Sequence, residues 1–246
     1  MIPEITEAPS PNHDARTLPV SLLVLHYTGM ESGAAALERL ADADAKVSAH
    51  YMVEEDGRVF QLVGEDRRAW HAGVGEWAGI TDINSASVGI EIVNGGHNVP
   101  NPDGSLPDFP DAQINALIPL CKAVMARHGI KPSRVVGHSD TAPGRKDDPG
   151  EAFPWAGLAA AGIGVWPGAG NGDRRVLFAP GERDRGIAVA QRGLALFGYG
   201  IGVTGELDAR TVDVLTAFQR RFRPDQVDGA LDMETLDLIG RVTRLV

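Results

Sequence analysis

One short stretch, Gly137 to Gly150, holds a histidine, a lysine and three aspartates: His138, Asp140, Lys146, Asp147 and Asp148. Ala142-Pro143-Gly144 and Asp148-Pro149-Gly150 are turn-forming triplets, so the stretch reads as a rigid, non-regular loop. Loops held on a scaffold are where catalytic groups concentrate. His26 and Glu91, in predicted strands, add an imidazole and a carboxylate. His26, His138 and one loop carboxylate make a three-ligand set for zinc, leaving a fourth position for a water whose pKa the metal lowers towards about 7. Asp140, Asp147 and Asp148 are rivals for the carboxylate place. Glu91 can take the proton of that water as it attacks a carbonyl, and Lys146 can stabilise the developing oxyanion. A single histidine at a strand end is more often a hydrogen-bonding residue than a ligand; the set carries the reading of a zinc hydrolase.

These groups need elements to position them. Ser21 to Leu25 is a short apolar run that predicts a buried strand ending at His26. Gly33 to Ala41 is Ala/Leu-rich and helical. Residues 49–53 and 58–63 predict two strands joined at Glu55-Asp56-Gly57, a hairpin. Ser87 to Val93 predicts a central strand in which the carboxylate of Glu91, amid apolar neighbours, needs a reason. Apolar residues from Ile114 to Met125 follow helical spacing, predicting a helix over 111–128 with Asp111 capping its start and Gly129 its end. Residues 134–137 predict a short strand that delivers His138. Interleaved strands and helices imply an α/β domain with a mixed sheet flanked by helices over residues 1–160.

Residues 161–180, rich in Gly, Ala and Pro, predict a linker. Beyond it, Gly186 to Phe197 reads as a helix, and Gly205-Glu206-Leu207-Asp208 recurs as Gly229-Ala230-Leu231-Asp232, each aspartate placed as an N-cap. The expectation for 181–246 is a small all-α domain of three helices. Phe197, Tyr199, Leu215 and Phe218 read as its core, with Tyr199 alternatively exposed. Arg220-Arg221-Phe222-Arg223 reads as a solvated helix end, with a site for anionic groups the alternative.

Composition narrows the classes. Residues 173–246 carry 11 basic and 11 acidic residues, so the whole net charge of -10 lies in the first 172, against a nucleic-acid footprint. No apolar run approaches the roughly 18 residues of a membrane span, so no integral membrane segment is expected. The single cysteine, Cys121, excludes an intramolecular disulfide and reads as a buried thiol. The start, Met1-Ile2-Pro3-Glu4, has neither a basic n-region nor an apolar h-region, so no secretory signal is visible.

Leu25-His26-Tyr27-Thr28, Ser48-Ala49-His50-Tyr51, Ala69-Trp70-His71-Ala72-Gly73, Ser87-Val88-Gly89-Ile90-Glu91 and the Gly137 to Gly150 loop resemble the type 2 N-acetylmuramoyl-L-alanine amidases over about residues 18–157. That family shares its fold with the peptidoglycan recognition proteins. The resemblance implies one zinc ion held by His26, His138 and Asp148, with Glu91 and Lys146 catalytic. The implied reaction is hydrolysis of the amide between N-acetylmuramic acid, plain or 1,6-anhydro, and L-alanine of the stem peptide. His50, Tyr51, Trp70, His71 and Asn94 are the candidates for binding substrate, with packing the alternative for His50 and His71. Ala190-Gln191-Arg192-Gly193-Leu194, Phe197-Gly198-Tyr199, Phe218-Gln219 and Asp228-Gly229 resemble the three-helix peptidoglycan-binding module. The implied partner is peptidoglycan or its muropeptides, and the runner-up is a protein that binds them without cutting. A wall-binding module implies the periplasm or cell envelope; the absent signal leaves the cytoplasm as the alternative.

Overall fold

The computed structural model describes residues 3–246. The strands and helices run β1 (Ile5–Glu7), β2 (His13–Ala15), β3 (Leu22–Tyr27), α1 (Gly33–Ala41), β4 (Tyr51–Val53), β5 (Val59–Gln61), β6 (Arg67–Ala69), α2 (Ile83–Ala86), β7 (Ser87–Ile92) and α3 (Asp111–His128). They continue with β8 (Val135–Gly137), α4 (His138–Thr141), α5 (Trp155–Ala160), α6 (Arg185–Phe197), α7 (Ala209–Phe222) and α8 (Met233–Val242). Six strands form one sheet in the order β1-β5-β4-β7-β3-β8. The predicted hairpin β4–β5 is its antiparallel pair; the other pairings are parallel, so the sheet is mixed. β2 and β6, which lack apolar runs, pair antiparallel apart from it.

Why β3 is central follows from its sequence. All of Leu22 to His26 are buried, which a strand tolerates only when both faces are covered. Alternate residues point to opposite faces. Leu23 and Leu25 join Leu117, Leu120, Cys121 and Val124 of α3 in one core, so Cys121 is the buried thiol expected of it. Leu22 and Val24 belong to a different core. α3 docks through Gln113, whose side-chain amide donates to the carbonyls of Val53 and Val93 at 3.1 and 2.8 Å, tying it across two strand ends. Its end is as expected, with Gly129 left-handed at φ 64° and its N–H bonded to Met125. Its start is not: Pro110 occupies the cap position and Asp111 is the first helical residue, where its charge still suits the helix dipole.

The three C-terminal helices form with Asp184, Asp208 and Asp232 as N-caps, each accepting a backbone N–H of the first turn. They pack against the first domain directly. Leu22, Val24, Ala72, Trp77 and Val136 share one continuous core with Ile187, Leu194, Phe197, Tyr199, Val214, Leu215 and Phe218. Within the 161–180 segment, Ile163 and Val165 are buried. Tyr199 is only 2% exposed, its ring against Trp77, so it is the core residue expected and not open to glycan. One expectation changes: Arg221 and Arg223 are not a solvated helix end, since both are buried and each faces a buried carboxylate, Asp140 and Asp232 respectively.

Asp208 caps α7 through a 2.8 Å bond from Thr211 N–H. Asp208→Ala is expected to lower unfolding free energy by about 1 kcal/mol in urea titration, with turnover unchanged.

Candidate metal centre

β3 pairs with β7 so that His26 lies opposite Glu91. On its other side β3 pairs with β8 as far as Leu25 opposite Gly137, and the next residue, His138, emerges beside His26. The loop then turns back, the N–H of Ser139 donating to the carbonyl of Asp148 at 2.9 Å. Gly137 permits this return, since a Cβ there would stand 2.7 Å from Pro149.

Three side-chain atoms converge at this point. His26 Nδ1 lies 2.8 Å from Asp148 Oδ2 and 3.1 Å from His138 Nδ1, and His138 Nδ1 lies 3.1 Å from the same carboxylate oxygen. All three residues are buried. Counting protons shows what this means. The carbonyl of Ala72 only accepts, so His138 Nε2, 2.8 Å away, is a protonated nitrogen, and the neutral ring carries its lone pair on Nδ1. The carbonyl of Ile83 likewise takes the Ser87 hydroxyl proton at 2.6 Å. Ser87 Oγ must then accept from His71 Nε2 at 3.0 Å, leaving His71 Nδ1 unprotonated. That nitrogen accepts from His26 Nε2 at 2.9 Å, so His26 Nδ1 also carries a lone pair.

With both rings in the neutral form, two imidazole lone pairs and a carboxylate oxygen thus face one another with no proton between them. Such an arrangement repels itself unless a cation is bound, and two neutral imidazoles with one carboxylate are a zinc donor set with an open fourth position. The residues fit the metal. Burial, and then His138, push His26 down to about 4, so it stays neutral and able to ligate at physiological pH. His71 is held well below its ordinary value by burial and by His26. Burial works against ionised Asp148, but His138 and His26, which attract its negative charge when they carry a second proton, outweigh it and hold the carboxyl well below its usual range.

Glu91 stands beside this cluster. Its Oε2 is buried and has no hydrogen-bond partner among the described residues. Burial and the charge of Asp148 raise its carboxyl well above the ordinary value, while Lys146 works the other way. A buried carboxylate without a partner is expensive to keep, and a raised value suits a group that takes up and returns protons. His26, Glu91, His138, Lys146 and Asp148 all line one cavity of about 380 Å³, which Arg145 also reaches.

The other expected substrate residues divide. His71 lines this cavity, but its ring is committed to His26 and Ser87. Gly89 makes room for it, since a Cβ there would lie 2.5 Å from the ring. His50, Tyr51, Trp70 and Asn94 are not among the cavity's lining residues. His50 Nδ1 accepts from Gly89 N–H, with Nε2 towards Arg16 and the Arg67 carbonyl. Tyr51 donates to Glu65, and Trp70 donates to Asp14. Asn94 ties Gly96 to the carbonyls of Pro107 and Asp108. Of the rival carboxylates, Asp140 turns to Arg221 and Tyr199, and Asp147 to Arg220. Sequence reasoning missed Ser87 and Arg145; the latter's place beside Lys146 was the one available signal. Arg145 donates to the carbonyls of Ala72 and Val74, bracing the segment that holds His138 Nε2.

Comparison with known proteins follows the same lines. The family described as N-acetylmuramoyl-L-alanine amidase matches residues 16–151, and that described as a peptidoglycan binding domain matches residues 183–239. N-acetylmuramoyl-L-alanine amidase AmiD of Escherichia coli (strain K12) is 41% identical over 228 residues, 88% of this chain and 79% of the relative. 1,6-Anhydro-N-acetylmuramyl-L-alanine amidase AmpD of Enterobacter cloacae is 34% identical over 167 residues, 60% of this chain and 84% of the relative. The structure of E. coli AmiD with the substrate anhydro-N-acetylmuramic acid-L-Ala-D-gamma-Glu-L-Lys is similar at a TM-score of 0.79 and 36% identity, covering 94% of this chain and 92% of that one. AmpDh3 of Pseudomonas aeruginosa is similar at a TM-score of 0.75 and 37% identity, covering 92% of each chain.

The proton count makes Ser87 the far end of the chain that orients His26. Ser87→Ala is expected to weaken zinc binding about tenfold in competition with a chromophoric chelator, with the fold intact by circular dichroism.

Proposed function

The chain belongs to the N-acetylmuramoyl-L-alanine amidase family, and from that membership we propose that it cleaves the amide joining 1,6-anhydro-N-acetylmuramic acid, or its unmodified form, to L-alanine of the stem peptide. It is a hydrolase of carbon-nitrogen amide bonds. One observation carries the site assignment: three lone-pair-bearing atoms of His26, His138 and Asp148 converge beside a buried carboxylate, Glu91, that lacks a partner.

His26, His138 and Asp148 would hold zinc, which when bound supplies Lewis acidity and lowers the pKa of a water towards about 7. Glu91 takes one proton from the attacking water and returns it to the departing amide nitrogen of L-alanine. The water oxygen forms the new carboxyl on the lactyl group as the C–N bond breaks. Lys146, on the same cavity wall, offers its ammonium to the oxyanion that develops on the carbonyl. The complete donor set favours catalysis over the alternative of a non-cutting muropeptide binder.

The substrate named for E. coli AmiD supports an anhydro-sugar peptide as the ligand here. The peptidoglycan-binding module supports association with the cell wall. Among the described residues, no helix is long and apolar enough to cross a membrane.

Mass spectrometry of an anhydro-muropeptide incubated with zinc-loaded protein should find free stem peptide beginning at L-alanine, and none after chelation. Shortened stems still attached to sugar would instead identify a peptidase. Glu91→Gln is expected to keep its zinc and lose about 10²- to 10⁴-fold in kcat, whereas His138→Ala loses both metal and turnover. The ammonium of Lys146 favours the charged form of Glu91, so removing it raises the pH at which the base ionises. Residual kcat/KM of Lys146→Met should therefore show its acidic limb displaced to higher pH; an unmoved limb would uncouple Lys146 from Glu91.

A further inference from the structure

The loop that carries His138 and Asp148 is gripped by the helical module. Asp140 Oδ2 accepts the N–H of Gly137 at 2.9 Å and Arg221 Nη1 of α7 at 2.7 Å, while Oδ1 accepts the hydroxyl of Tyr199 at 2.5 Å. The second nitrogen of Arg221 donates to the carbonyl of Val135 in β8 at 3.1 Å, and its guanidinium stacks 4.1 Å from the centre of the Trp155 ring. Arg220, the next residue, reaches Asp147 at 3.0 Å and Glu151 at 2.9 Å. Arg210 donates to the carbonyl of Pro143 at 3.2 Å. Asp213, also on α7, sits where a Cβ on Gly144 would be, 2.5 Å away.

These contacts bracket both loop ligands. His138 lies between Gly137 and Asp140, which are joined to each other and to Arg221. Asp148 lies between Asp147 and Glu151, which share Arg220. A buried ion pair is a poor source of stability compared with apolar packing of the same volume, but a planar guanidinium fork fixes direction. Arg221 and Asp140 are both almost wholly inaccessible. Direction is what a metal ligand set needs, because affinity depends on how its supporting shell orients it.

We propose that Arg221 and Arg220 are positioning residues for the metal loop, so that the helical module is a working part of the catalytic centre as well as a device for holding wall material. The inference rests on the proposed zinc site for its metal arms and on the amidase reading for its kinetic arm.

The test uses the full chain. Arg221→Met keeps an unbranched apolar stem and removes the guanidinium fork; Arg220→Gln removes the fork and the charge at the more accessible pair. Zinc affinity by chelator competition, the visible spectrum of the cobalt-loaded protein and hydrogen-deuterium exchange over residues 137–151 are measured for each. Kinetics on a soluble anhydro-muropeptide, which needs no wall anchoring, complete the set. The expected result is a loss of about 10- to 100-fold in zinc affinity, an altered cobalt band and faster loop exchange. The kinetic expectation is a fall in kcat with KM within about twofold of the wild type. Arg221→Lys, which restores the charge opposite Asp140, should recover part of each. Folded variants with wild-type zinc affinity, cobalt spectrum and loop exchange would overturn the proposal. If Arg221→Met does not fold, Arg220→Gln decides on the same readouts. Should the wild type fail to cleave the muropeptide, the amidase reading falls, while metal affinity, cobalt spectrum and loop exchange still judge the positioning role.

Discussion

The parallel pairing of β3 with β7 on one side and β8 on the other is the constraint from which the site follows. Its register sets His26 opposite Glu91 and ends β8 one residue before His138. A slip of one residue would turn His26 to the opposite face and separate the three groups. The register is secured by burial on both faces, Leu23 and Leu25 towards α3 and Leu22 and Val24 towards the helical module. The same apolar contacts that hold the sheet together therefore hold the chemistry in place.

Around that frame the polar groups are arranged to leave specific atoms free. Carbonyls of Ala72 and Ile83, which can only accept, determine the proton positions on His138 and, through Ser87 and His71, on His26. In the neutral rings this leaves the nitrogens that face Asp148 with their lone pairs, as the proposed zinc site requires. Glu91 lies at the opposite extreme, with an oxygen that nothing in the described chain satisfies. Among the described residues the other buried charged side chains are paired, as with Arg223 and Asp232. The contrast sets Glu91 apart from the paired carboxylates and supports the role proposed for it.

The helical module is joined to the catalytic domain by a shared apolar core and by the Arg221–Asp140 pair inside it. Trp77 of the first domain, fully buried, lies with its ring about 5 Å from those of both Phe197 and Tyr199. Such a junction resembles the interior of one domain more than a mobile linkage. Two parts that sequence divides at a Gly/Pro-rich stretch thus meet over the surface that carries the loop of His138 and Asp148.

Much of this was legible in the chain itself. Continuous apolar runs located β3 and β7, two strand-like runs about a turn located β4 and β5, Ala/Leu-rich composition located α1, and helical apolar spacing located α3 and the C-terminal helices, because local burial is written in residue type. The ligand candidates were legible because imidazoles and carboxylates at strand ends and in a punctuated loop have few other uses together. Short elements without an apolar pattern, such as β1, β2 and β6, were not, since their strand state comes from pairing with distant partners. Only the tertiary structure decided that Arg221 is buried and Tyr199 is core, that His50 and Tyr51 are not among the residues lining the cavity, and that Ser87 orients His26. Each of those facts depends on which atoms from far along the chain stand within hydrogen-bonding distance, and residue type alone carries no record of that.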